Sequence, residues 1–171
     1  MKEYISVGAS ILGYINKARE NKMEPKKTVL IDFDGVLHRY NSGWQGAAIC
    51  SDLPVEGAMY WLLELIKSDK FRICIYSSSR SSQENGIEAM KQWLRIHLDA
   101  YYELFYFPGF PEQLTMEFID GNIEFPKEKP PAFVTIDDRC ICFDGNEFPS
   151  IEQISGFIPW YLKPEHDQSD L

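Results

Sequence analysis

Residues Val29 to Leu37 read V-L-I-D-F-D-G-V-L, an apolar run that stops on two carboxylates and a glycine. Val29, Leu30 and Ile31 have the character of a strand buried on both faces, since no polar residue interrupts them and β-branched side chains suit a pleated core. Asp32 and Asp34 follow its end. In a parallel sheet the carboxyl ends of the strands line the crevice where ligands bind, so acidic residues placed there act without being buried unpaired. The stretch predicts an α/β protein with chemistry at the edge of its sheet.

Working outward, the same arrangement recurs. Arg72 to Tyr76, centred on Ile73, Cys74 and Ile75, is a second expected strand, and it stops on Ser77, Ser78, Ser79 and Arg80. Phe133 to Ile136 is another, expected to be buried, and it stops on Asp137, Asp138 and Arg139. Between the first two, Ala58, Trp61, Leu62, Leu65 and Ile66 form a helical stripe after Pro54; beyond the second, Ile87, Met90 and Leu94, with Trp93 beside them, set another. Alternating strands and helices favour a parallel sheet with right-handed crossovers.

The remaining segments carry weaker signals. Tyr4, Val7, Gly8, Ile11, Leu12 and Ile15 predict an amphipathic amino-terminal helix within 1–24, packed on the domain's own sheet. A polar loop, H-R-Y-N-S-G-W-Q-G, follows Leu37, and His38, Arg39, Tyr40 and Trp44 are candidates to flank a substrate, because loops after strand ends carry selectivity. Leu104 to Phe107 opens a third apolar run. Asp120-Gly121, set between Phe118-Ile119 and Ile123-Phe125, predicts a short hairpin. Ile141 and Phe143 continue in a strand-like manner to a turn at Asp144-Gly145-Asn146, and Ile151 to Trp160 predicts a last short helix.

At 171 residues the chain suits one well-buried domain. Its net charge of -9 argues against a long polyanion such as nucleic acid, and against an anionic membrane surface, while leaving room for a local phosphate site. No apolar run approaches membrane-spanning length, and no charged leader precedes a long apolar block, which together predict a cytoplasmic protein. Cys50, Cys74, Cys140 and Cys142 lack the spacing of a zinc site and are expected to be small, reduced core residues.

Three strand ends thus bear Asp32 and Asp34, Ser77, and Asp137 with Asp138. Clustered carboxylates repel one another, and a bound cation relieves that repulsion, Mg²⁺ being the usual choice of oxygen ligands. Lys129, in the connection that enters the last strand, adds a positive charge. Metal, ammonium and hydroxyl together suit a phosphoryl group.

The D-F-D-G-V run after a strand, Ser77 at a strand end, Lys129 in K-P-P-A and I-D-D-R at 136–139 resemble, in order and placement, the four motifs of the haloacid dehalogenase (HAD) superfamily of phosphotransferases. The likeness spans residues 28–143. It implies a three-layer, Rossmann-like α/β domain over 1–171 with a mostly parallel central sheet, and an aspartyl-phosphate mechanism. Asp32 would be the nucleophile, and Asp34 the acid and base, with a raised pKa. Ser77 and Lys129 would bind the phosphoryl oxygens. Mg²⁺ would be held by Asp32, the Asp34 backbone carbonyl and Asp137, with Asp138 a second ligand or the holder of a bound water; a charge pair between Asp138 and Arg139 or Arg80 is the competing reading. Ser78 is a rival to Ser77, and Lys127 and Lys26 are rivals to Lys129.

Many relatives insert a large cap domain. Here the gaps between motifs are filled by the expected elements, leaving a flap-like loop at 38–46 and a small insertion at 108–128. The expected activity is Mg²⁺-dependent hydrolysis of a small phosphorylated metabolite or a nucleotide, with a nucleic-acid end disfavoured by the charge. The alternative is a non-catalytic phosphate-binding or scaffolding protein that keeps the fold.

Overall fold

The structure, a computed structural model, describes residues 25–105, 114–142 and 148–163. The expected helix in 1–24, the turn at 144–146, Phe143 and all of the 108–113 stretch lie outside the described residues.

Four parallel strands form the sheet: β1 (Lys27–Ile31), β2 (Phe71–Ile75), β3 (Ile123–Glu124) and β4 (Val134–Ile136), in the order β3-β2-β1-β4. The sheet is therefore wholly parallel among the described residues. Register places Val29 beside Ile73 and Ile31 beside Ile75, with Val134 and Ile136 on their other side. Alternation then gives β1 two apolar faces. Val29 and Ile31 join the main core, whereas Leu30 and its partner Cys74 point the opposite way and are buried as well. A strand covered on both faces is what the uninterrupted run at 29–31 predicts.

Two helices cover the first face. α1 (Ala58–Ser68) starts after Gly57, whose φ of 76° suits glycine, and buries Ala58, Met59, Leu62, Leu63 and Ile66. α2 (Glu84–Phe105) buries Met90, Trp93, Leu94, Leu98 and Tyr102, a stripe at helical spacing. Both stripes meet Val29, Ile31, Ile73 and Ile75 in one core. Each fully buried Leu or Ile there stabilises the fold by about 1.5–3 kcal/mol.

Several expectations need correction. Leu104 and Phe105, expected to open a third strand, are the exposed last residues of α2, because the helical stripe through Leu98 and Tyr102 carries the helix on to them; Tyr106 and Phe107 lie outside the described residues. Asp120 and Gly121 lie inside α3 (Met116–Asn122), where Thr115 caps the first turn by accepting from the Phe118 amide and Ile119 is buried. No hairpin forms, because Ile123–Glu124 pairs parallel with β2. β4 is exposed rather than buried, because among the described residues it is an edge strand of the sheet; Ile141 is exposed outside any strand, as are Cys140 and Cys142, whereas Cys74 is a buried core thiol. The last helix is shorter than expected: α4 (Ile151–Ser155), closed by a capping box between Ser150 and Gln153, gives way to a separate 3-10 turn at Trp160–Leu162. Among the described residues no helix is long and apolar enough to cross a membrane.

Candidate functional site

The ends of β1, β2 and β4 open onto one cavity of 530 Å³, lined among others by Asp32, Asp34, Ser77, Lys129 and Asp137. Strand register explains the convergence. The parallel pairs Ile31–Ile75 and Ile31–Ile136 stop level, so the residues after each strand emerge together. The Asp32 amide donates to the Ile136 carbonyl at 2.9 Å, and the Tyr76 amide donates to the Ile31 carbonyl at 3.0 Å.

Asp32, Asp137 and Asp138 offer carboxylate oxygens that all lie within 4.8 Å of one another. Burial pushes the Asp32 carboxyl up to about 7; an amide hydrogen bond from Phe33 opposes this, and the charges of Asp137, Asp138 and Asp34 add to it. The Asp138 side chain is 1% exposed, and neither of its oxygens has a hydrogen-bond partner. Arg139 Nε lies 3.7 Å away, so the competing reading, a charge pair with Arg139, is present only as a loose contact, and Arg80 pairs with Asp34 instead. Burial raises the Asp138 pKa despite that neighbour. Asp137 is partly tied down, accepting from the Arg139 amide at 2.9 Å. Two orphaned buried oxygens within a cluster of three carboxylates fit a hard divalent cation bound through oxygen. Gly35 makes room for this cluster: its φ is +91°, and a Cβ there would sit 2.7 Å from Asp138 Cγ.

Asp34 is held in a contrasting way. Arg80 Nε donates to its Oδ2 at 2.8 Å and Nη2 to its Oδ1 at 3.0 Å, a bidentate pair. Ser77 Oγ donates to Oδ2 at 3.3 Å. His38 Nε2 accepts from the Asp52 amide at 3.0 Å, so Nδ1 carries the proton and donates to Asp34 Oδ1 at 3.0 Å. Burial alone would raise the Asp34 pKa, but the hydrogen bonds from His38 and Arg80, with the charge on Arg80, hold it below the usual carboxylate range. The raised pKa expected for a proton donor is absent in this arrangement.

Arg80, expected at a strand end and as a possible partner of Asp138, instead pairs with Asp34 and is the hub of the site. It is 1% exposed, and its Nη1 donates to the carbonyls of Ala47 at 2.7 Å, Ile49 at 2.9 Å and Gly46 at 3.3 Å. The loop after β1 is thereby tied to Asp34. α2 reaches this turn closely because Gly86 has no side chain; a Cβ would lie 2.4 Å from the Arg80 carbonyl oxygen. His38 is likewise a buried support rather than a flank of the cavity, stacked on Phe33 with Trp93 edge-on to both rings. Arg39 donates to the Pro54 carbonyl at 3.0 Å.

Tyr40 and Trp44 do line the cavity, as do Ser78, Ser79 and Arg139. Ser77 is the serine that reaches Asp34, while Ser78 shares the wall. Of the lysines, Lys129 lines the cavity, whereas Lys26 pairs with Asp69. The 3-10 turn at 160–162 docks beside the site: Trp160 Nε1 donates to the Gly35 carbonyl at 2.6 Å, and the Tyr161 hydroxyl accepts from Arg139 Nη2 at 2.6 Å. No local pattern in the sequence marks those two residues for the site. In comparisons with known proteins, no family model matches the chain, nor does any curated protein or solved structure.

Proposed function

We propose that this chain is a HAD-type, Mg²⁺-dependent phosphomonoester hydrolase: one three-layer, Rossmann-like domain over 1–171 without a large cap, acting through an aspartyl phosphate on a small phosphorylated metabolite or nucleotide. The observation that carries the reading is the convergence of Asp32, Asp137 and the unpartnered Asp138 in a cavity that also presents Ser77 and Lys129. A cytoplasmic location belongs to the same proposal and rests on four free cysteines.

Asp32, Asp137 and Asp138 would hold Mg²⁺, with the Asp34 backbone carbonyl, and the ion would neutralise phosphoryl charge. Asp32 then bonds to phosphorus while the bond from phosphorus to the leaving oxygen breaks. Lys129 offsets charge on the transferring group, and the serine hydroxyls beside it supply donors. Water next attacks phosphorus, freeing Asp32 and inorganic phosphate. Asp34 is ionised and would take the proton from that water on loosening from Arg80, whose hydrogen bonds otherwise lower its basicity. Giving a proton to the leaving oxygen in the first step requires Asp34 to gain one and loosen from Arg80.

A screen of phosphorylated metabolites, nucleotides and 5′- or 3′-phosphorylated oligonucleotides, with Asp32→Asn as control, tests the reading. Mg²⁺-dependent phosphate release that Asp32→Asn reduces by about 10³-fold or more is expected. Turnover indifferent to Mg²⁺ or to Asp32→Asn overturns it. The clamp on Asp34 favours a second reading, a phosphate-binding protein without turnover; Mg²⁺ binding with no beryllofluoride adduct at Asp32 would select it.

A further inference from the structure

The cavity extends past the carboxylates. Its 530 Å³ falls within the roughly 300–1,000 Å³ of pockets that enclose whole small molecules, and two aromatic rings, Tyr40 and Trp44, line it together with the phosphoryl groups' expected partners. We propose that Tyr40 and Trp44 form a base-stacking subsite beside the phosphoryl site, and that the substrate is a free nucleoside monophosphate. This deepens the phosphatase reading and rests on it for the chemistry, not for the binding.

Trp44 is set as a platform. The Arg80 guanidinium lies 5.2 Å from its ring centroid, and Arg80 is itself fixed by Asp34 and three loop carbonyls, so the plane of the indole is held by a buried cation. The residue is nonetheless 47% exposed, with a large apolar surface available at the cavity wall. A half-exposed tryptophan braced from beneath loses little freedom when a flat ring settles on it. Tyr40 is braced too. Its φ is 60°, in the left-handed region that a tyrosine rarely adopts, and its ring packs edge-on against His38 and Tyr161. Backbone strain kept by surrounding contacts is characteristic of ligand clamps.

The polar side of the subsite is Arg139. Its side chain is more than half exposed and lines the same cavity, steadied by the Tyr161 hydroxyl. A guanidinium presents several N–H donors in one plane, suited to the acceptor edge of a base or to ribose oxygens. The net charge of -9 separates a mononucleotide from the end of a long nucleic acid, whose phosphates gain nothing from such a surface.

The test compares 5′-AMP and 5′-UMP with ribose 5-phosphate, which has the same ester and no base. In wild-type protein with Mg²⁺, kcat/KM for the nucleotides should exceed that for ribose 5-phosphate by roughly 5- to 150-fold, the range that one base–aromatic stack supports. Trp44→Leu should bring that ratio toward one through KM, and Trp44→Phe should retain most of it. Calorimetric titration of the Asp32→Asn protein with AMP and with ribose 5-phosphate reads the same preference without turnover. Equal affinity of the two ligands, or a preference that survives Trp44→Leu, overturns the subsite. Absence of turnover on every ester, with AMP still preferred in a Trp44-dependent way, overturns the phosphatase reading and upholds the subsite.

Discussion

Asp32 and Asp34 leave the same strand two residues apart, yet the fold treats their charges in opposite ways. Asp32 faces two other carboxylates, one of them without a hydrogen-bond partner, and burial pushes its pKa up to about 7. Asp34 accepts from a guanidinium, an imidazole and a hydroxyl, and is held below the usual range. The protein alone thus completes one half of the site and leaves the other in electrostatic deficit. A half left in deficit is the half that a cation and a phosphoryl group would complete, and the satisfied half is scaffold that fixes the loop carrying Trp44. The surroundings make the split: Asp34 meets the buried Arg80, while Asp138 fills the space beside Gly35 on the side of Asp32.

The largest expected effect comes from breaking the satisfied half. Arg80→Met removes a buried cation and leaves the Asp34 carboxylate, 10% exposed, without its main partner. Loss of one member of a buried pair costs about 3–5 kcal/mol, so urea unfolding should shift by that amount. The double variant Arg80→Met with Asp34→Leu should recover much of the loss, because no uncompensated charge remains. A single variant within 1 kcal/mol of wild type by the same measurement would show that the pair is not the clamp described here.

Next in size is Gly35→Ala, aimed at the half in deficit. The left-handed φ and the 2.7 Å approach to Asp138 Cγ predict a loss of about 1–3 kcal/mol. Because the displaced group is Asp138, Mg²⁺ affinity measured by calorimetry should fall tenfold or more, an effect that Arg80→Met should not reproduce to the same degree. Unchanged Mg²⁺ affinity in Gly35→Ala would remove Asp138 from the ion's ligands.

The contrast also carries a pH sign. The folded pKa of Asp32 lies above its ordinary value of 3.8, so its ionisation opposes folding; the cost begins as pH rises past 3.8 and is complete above about 7. Asp34 runs the other way, contributing stability above its unfolded value that is lost as acid protonates it. Metal-free Asp32→Asn should therefore be more stable than wild type by about 1–3 kcal/mol at pH 8, with the gain shrinking toward pH 4. Saturating Mg²⁺ should reverse the order, since an ion rewards the charged form. Thermal melts in chelator across pH 4 to 8 check this, and a destabilised Asp32→Asn at pH 8 would contradict it.

The sequence revealed the half in deficit far better than the satisfied half. Asp32, Asp137 and Asp138 follow apolar runs, and a parallel sheet necessarily brings such strand ends to one edge, so pattern and topology were enough. Ser77 came with the same logic, whereas Lys129, in the connection before its strand, rested on motif spacing. Arg80 came with neither, because its role depends on a turn that folds it back under a loop more than thirty residues earlier in the chain. The sequence places Arg80 at a strand end and offers it as a charge partner for Asp138, whereas in the fold its partner is Asp34. The fold divided similarly: β1, β2, α1 and α2 follow from strong periodicity, whereas the Asp-Gly turn at 120–121 was overridden by the Thr115 cap and by parallel pairing of β3. The 3-10 turn at Trp160 closes on its own local hydrogen bonds, but its place beside Gly35 is set by long-range contact.

That turn yields the smallest and most discriminating effect. Trp160 is 46% exposed, so its packing is modest, but its indole N–H reaches the carbonyl of Gly35, the residue that separates the two halves. Trp160→Phe keeps a ring and deletes the donor. A neutral hydrogen bond at a half-exposed site contributes about 0.5–1.5 kcal/mol, and water can replace part of it, so the stability loss belongs at the lower end. If Gly35 is the pivot of the asymmetry, Mg²⁺ affinity should weaken two- to fivefold while the arginine-held half stays intact, which is read from an unchanged acid limb of the stability profile. A matching loss on both sides would mean that the carboxyl-terminal turn braces the whole strand end, and that the boundary between the two aspartates lies elsewhere than at Gly35.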